Sequence, residues 1–150
     1  MLPARLELPT ALLAELTAAA QSAWPREFVA ALGGEPLAAG WRLTSAEPLP
    51  NAATEPDRFA VEPWWFARAE AALRARGASW CGFVHSHPSG VALPSQQDRR
   101  SLWHHCVQLI LASGQAGLAP VPHAYFGDGR ELVPVPIELL AAATARPVTA

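Results

Sequence analysis

Short apolar runs alternate with amphipathic stretches along this chain, and glycine or proline marks most of the junctions. From Thr10 to Ala23 the apolar positions Leu12, Leu13, Leu16 and Ala20 recur at helical spacing, with Thr10 as the expected N-cap and Pro25 as the stop. Glu27 to Leu32 reads as a strand ended by Gly33-Gly34. Trp41 to Ala46 reads as a second strand, and Pro48 to Pro56 as a loop. The spacing predicts a helix over Glu62 to Arg76, opened by Pro63 and closed by Gly77, with Glu70 and Arg74 as an i,i+4 pair. Ser79 to His87 is a strand whose apolar residues Trp80, Cys81, Phe83 and Val84 mark it as buried. Gln96 to about His104 reads as a helix. Val107 to Ala112, Ala124 to Phe126 and Glu131 to Val135 read as closing strands, and Ala141 to Ala150 as a loose tail. Strands alternating with helices predict an α/β fold in a single domain over residues 1–150.

Composition narrows the function classes. The chain has 150 residues, enough to bury about two-thirds of its unfolded surface in one core. Its net charge of −2 gives no electrostatic footprint for nucleic acid, so no such partner is expected. All eleven basic residues are arginine, and asparagine occurs once. That bias points to a GC-rich genome and not to a function. Two cysteines, Cys81 and Cys106, make no disulfide framework and no C-x-x-C pair, and both are expected to be buried thiols. No apolar stretch reaches the roughly eighteen residues that a membrane span needs. Glu7 and Glu15 interrupt the alanine-rich start, which therefore reads as a helix and not a signal peptide; the expected compartment is the cytoplasm.

The chemistry concentrates at His85-Ser86-His87-Pro88, followed by Ser95 and Asp98. Two histidines at i and i+2 on a strand project to the same face. Asp98 is far enough along to return from a loop and meet them. Three protein ligands leave one open position on a tetrahedral zinc, which suits catalysis and not structure. Pro94-Ser95-Gln96-Gln97-Asp98 is also an ordinary helix start, with Ser95 as N-cap and Asp98 in the first turn. The two roles are compatible, since one helix start can present both residues.

With these residues in place, the chain resembles the JAMM/MPN zinc metallopeptidases, in particular the small single-domain prokaryotic type. The family pattern H-x-H-P, a short loop, S-x-x-D falls on His85, His87, Ser95 and Asp98. Its upstream glutamate falls on Glu27 in Pro25-Arg26-Glu27-Phe28, and Asn51 and Phe59-Ala60-Val61 are further similar pieces. The resemblance covers about residues 10–136. It implies a mixed β-sheet flanked by helices, in a three-layer arrangement like that of cytidine deaminase. It also implies Zn²⁺ held by His85, His87 and Asp98, with Glu27 as general base and Ser95 as donor to the oxyanion. The implied reaction is hydrolysis of a peptide or isopeptide bond after the C-terminal glycines of a ubiquitin-like or sulfur-carrier protein. The chain has no long insertions between its motifs, which argues against linkage-specific polyubiquitin cleavage.

Two neighbouring readings stay open. His87-Pro88-Ser89-Gly90 also resembles the RadC-like branch associated with DNA repair, although the Pro25-Arg26-Glu27-Phe28 start and the missing basic surplus argue against it. A non-catalytic MPN scaffold is the other, although here every motif position is filled. No G-x-S-x-G or P-C-x-x-C is present, which excludes the common serine hydrolase and nucleobase deaminase patterns. The remaining histidines read as peripheral: His104 and His105 at a helix end, His123 in a loop. Trp64 and Trp65 read as core or helix-staple residues, Trp80 as core, and Gly90 as a turn residue after the ligands.

Overall fold

The computed structural model describes residues 3–100, 105–113 and 118–141. Eight strands form one mixed sheet. In chain order the elements are β1 (Arg5–Pro9), α1 (Thr10–Ala23), β2 (Val29–Leu37), β3 (Gly40–Leu49), α2 (Pro63–Ala75), β4 (Ser79–His87), α3 (Gln96–Arg99), β5 (Val107–Ala112), β6 (Val121–Gly127), β7 (Leu132–Val135) and β8 (Ile137–Leu140). Across the sheet the strands run β7-β6-β5-β4-β2-β3-β1-β8. The outermost strands, β7 and β8, are separated in the chain only by Pro136. Two peptide units reach at most about 7 Å, so the two edges must lie close together. The sheet is therefore curled.

The curl has a cause in the packing. Leu12, Leu16 and Ala20 of α1 share a core with Leu6, Leu32, Leu43, Val84, Leu109 and Leu111 from β1 to β5. The sheet wraps that helix on one face. On the other face α2 lays Ala69 and Leu73 against Val29, Ala31 and Phe83. Helix, sheet and helix make the three layers that the resemblance implied. With both faces covered, Cys81 to His87 of β4 is buried without a break, as a central strand should be.

Several boundaries differ from the sequence reading. The segment after Glu27 does not end at Gly33-Gly34; β2 runs through both to Leu37. The glycines mark irregularities in register against β3 and β4 instead. A Cβ at Gly33 would lie 2.8 Å from Leu73 Cδ2, so that position also lets α2 approach the sheet. α1 begins at Thr10 itself, with Pro9 in the capping position and no side-chain cap. β3 is longer than expected, and β1 and β8 were not anticipated at all. His123 lies in β6 and not in a loop. Trp64 and Trp65 are not core: they are exposed at 58% and 38%, with Arg68 against both rings. Trp80 is half-buried and packs edge-on to Phe66 and Phe83. His104 and the residues after Ala141 lie outside the described residues. Among the described residues, no helix is long and apolar enough to cross a membrane.

Candidate metal centre

β4 ends at His85 and His87, both buried, at the centre of the sheet. α3 brings Asp98 up to them. One ligand atom from each of His85, His87 and Asp98 lies within 4.8 Å of the other two. The two Nε2 atoms are 3.1 Å apart. His87 Nε2 lies 3.2 Å from Asp98 Oδ2, and His85 Nε2 lies 3.3 Å from Asp98 Oδ1. Ligands bound at about 2.0–2.1 Å around a tetrahedral ion are separated by about 3.3–3.4 Å, so the Nε2–Nε2 and His87 Nε2–Asp98 Oδ2 spacings are close to the edges of such a site, while His85 faces the other Asp98 oxygen. The donor set fits a divalent cation. His87 Nδ1 faces Val91 O at 2.8 Å, and donation there leaves Nε2 as the lone pair aimed inward.

The local sequence explains how Asp98 is held. Ser95 Oγ accepts from the Asp98 amide at 3.0 Å, and Asp98 Oδ2 accepts from the Ser95 amide at 2.8 Å, a reciprocal capping box. Cap and ligand are thus the same residues. The loop from Pro88 to Pro94 turns at Gly90, whose φ is 82°, and Tyr125 Oη donates to Ala92 O at 3.0 Å.

Glu27 precedes β2, in an extended segment. It is buried at 5% exposure, with Oε1 3.8 Å from His87 Nε2. Its Oε2 has no hydrogen-bond partner among the described residues. Burial pushes Glu27 up to about 7, with the charge of Asp98 acting in the same direction and His87 against it. Burial also holds His85 below the ordinary imidazole range. For His87 burial acts downward too, but the bonds to Asp98 and Val91 outweigh it and leave the ring raised. Asp98 would be raised by burial; its bonds to His85 and His87 reverse this and hold it well below the usual carboxylate range. The metal-free site is thus an ionised Asp98 sharing protons with imidazole, which a cation would displace.

These groups open onto a cavity of about 510 Å³ lined by Glu27, His87 and Ser95 together with Trp24, Pro25, Pro56, Asp57, Pro88, Ser89, Val91, Leu93 and Pro94. On one side the Phe59 ring packs against His85, tilted, with centroids 4.6 Å apart. All five residues expected at the site, Glu27, His85, His87, Ser95 and Asp98, therefore gather around one point or on the wall beside it. His105 and His123 do not line this cavity. Sequence reasoning assigned no role to Asn51, Ser86 or Tyr125. For Asn51 a signal existed, since it is one of the pieces similar to the JAMM/MPN family.

The comparisons place the chain in a family and a fold. The family model described as prokaryotic homologs of the JAB domain matches residues 9–126. No curated protein matches the chain. Among solved structures, a protein from Desulfitobacterium hafniense is 25% identical with a TM-score of 0.80, over 91% of this chain and 93% of its own. A JAB1/MPN domain protein from Archaeoglobus fulgidus is 23% identical with a TM-score of 0.54, over 87% and 97%. A protein from Salinibacter ruber is 20% identical with a TM-score of 0.66, over 95% of each chain.

Proposed function

Because the chain belongs to the prokaryotic homologs of the JAB domain, we propose that it is a zinc metallopeptidase. Its substrate is a ubiquitin-like or sulfur-carrier protein, cut after the C-terminal glycines. The observation that carries this reading is the convergence of His85, His87 and Asp98 with a buried carboxylate, Glu27, 3.8 Å from His87. A purely structural metal site needs no such neighbour, and a closed one would use a fourth protein ligand.

His85, His87 and Asp98 would hold the ion. An ion such as zinc held there would supply a water with a pKa lowered towards about 7 and a Lewis acid for the scissile carbonyl. Glu27 takes the proton from the attacking water and delivers it to the leaving amine. A carboxyl near 7 suits both transfers close to neutral pH. The Ser95 oxygen already accepts from the Asp98 amide, so its hydrogen is available to donate to the carbonyl oxygen as negative charge develops. One such donor is worth about 3 kcal/mol. A tail without side chains next to the scissile carbonyl can lie against the Pro88-to-Pro94 loop with little steric cost, which is why glycine is favoured there.

The test uses purified protein reconstituted with zinc and a carrier protein whose Gly-Gly terminus is extended by a few residues or joined to a lysine side chain. Release after the second glycine is expected, with loss on chelation. Replacing the glycines by valine should slow cleavage far more than changing the leaving group. Zinc binding without cleavage of any such substrate would leave a scaffold, and equal rates on glycine and valine would leave a peptidase of broader specificity.

A further inference from the structure

The peptide unit joining Glu27 to Phe28 is held at both ends. Its carbonyl oxygen accepts from Asn51 Nδ2 at 3.0 Å, and its amide donates to Ser86 Oγ at 2.7 Å. Ser86 lies between the two histidines on β4, and its own amide donates to Phe28 O at 3.0 Å. On one side, then, the segment bearing Glu27 is registered on the strand bearing the ligands. On the other it is tied to Asn51. The Glu27 carboxylate lacks a comparable anchor, since its Oε2 is buried without a partner among the described residues. Its position is set through its backbone.

Asn51 is committed at every hydrogen-bonding position. Nδ2 also donates to Arg58 O at 3.1 Å, while Oδ1 accepts from the Ala53 and Ala60 amides at 3.0 and 3.1 Å. These bonds close residues 51–60 into a loop. That loop supplies the Phe59 ring packed against His85 and the Pro56 and Asp57 wall of the cavity. One side chain thereby fixes the backbone of Glu27 relative to a ligand's ring and the substrate wall.

We propose that Asn51 is a positioning residue for the general base, acting through the Glu27 carbonyl, with Ser86 as the opposite jaw of the same clamp. The inference rests on the assignment of Glu27 as base. A displacement of about 1 Å in a reacting group can cost about 100-fold in rate, and the clamp is what prevents one.

Asn51→Asp isolates the tether. The replacement has the same shape and still accepts from the Ala53 and Ala60 amides, but it presents an oxygen to the carbonyls of Glu27 and Arg58. In zinc-loaded protein kcat should fall about 10- to 100-fold, with KM changed by less than about twofold and zinc content unchanged. In a Glu27→Gln background the same change should cost less than about twofold, because the residual rate does not use the base. In metal-free protein the Phe28 amide should exchange with solvent at least about tenfold faster. Ser86→Ala, the second probe should Asn51→Asp fail to fold, must give the same pattern. An equal loss in both backgrounds would reduce Asn51 to loop structure and overturn the proposal, as would unchanged Phe28 exchange. If wild-type protein cleaves nothing, the peptidase reading fails by itself, and Phe28 exchange alone then decides whether the clamp holds Glu27.

Discussion

Metal-free Glu27→Gln protein should become more stable than metal-free wild type as pH rises, although the same change removes the proposed base. The carboxylate is buried at 5% exposure, and burial raises it from 4.5 to about 7. The unfolded chain releases this proton near 4.5, whereas the folded protein keeps it to about 7. Over that interval the unfolded state binds fewer protons, so stability falls as pH rises. Above about 7 the full penalty remains. At about 1.4 kcal/mol per pH unit the gap amounts to about 3 kcal/mol. A glutamine cannot ionise, and the cost of burying its amide is the same at every pH. The variant's advantage over wild type should therefore grow by about 3 kcal/mol between about pH 4 and pH 9, most of it between about 4.5 and 7. Urea denaturation followed by tryptophan fluorescence, in the presence of a chelator, measures it. Stability curves that stay parallel across the whole range would show that Glu27 is not in the desolvated position described. Zinc-loaded Glu27→Gln should meanwhile retain its metal and lose about 100-fold or more in turnover, the scale of general-base catalysis. Full activity would remove Glu27 from the mechanism.

Three further expectations follow from the geometry. His87→Ala removes a side chain close to His85, Asp98 and Glu27 alike, so zinc content should fall from about one per chain to near zero by elemental analysis; retention at native affinity would reassign the ligand. Ser95→Ala should lower stability by about 1 kcal/mol through the lost cap, and kcat/KM by about 100-fold through the lost donor. Ser95→Asp restores the cap but, as an ionised carboxylate, offers no donor, so recovery of both properties in that variant would leave Ser95 a cap alone. Cys81 and Cys106 are buried, and burial raises both thiols, Cys106 to about 12; native protein at about pH 8 should resist alkylation at both until denatured, and rapid labelling would contradict that burial.

What the sequence determined by itself is what local physics decides. The 3.6-residue period and Pro25 placed α1 within its observed bounds, and the Pro63 start and Gly77 stop placed α2 to within a residue. The unbroken apolar run before His85 marked a strand covered on both faces, and β4 is buried from Cys81 onward. The period of two put His85 and His87 on one side, and the Ser95–Asp98 spacing encoded a capping box whatever its chemistry. Other features had no local signature. β1 and β8 are short, and they exist because pairing with each other and with β3 satisfies their backbone; the curled sheet exists because its edges meet across Pro136. Gly33-Gly34 looked like a strand end because glycine weakens strands, but the packing of Leu73 and the shifted register put it inside one. Trp64 and Trp65 at the start of α2 read as core or staple, yet α2 turns Ala69 and Leu73 to the sheet and leaves them outside. The site divides in the same way. Its candidate ligands could be read from spacing. The approach of Glu27 across fifty-eight positions depends on the pairing of Val29 with His85 and on the grip of Ser86 and Asn51 on one peptide, contacts between distant residues that only the folded chain brings together.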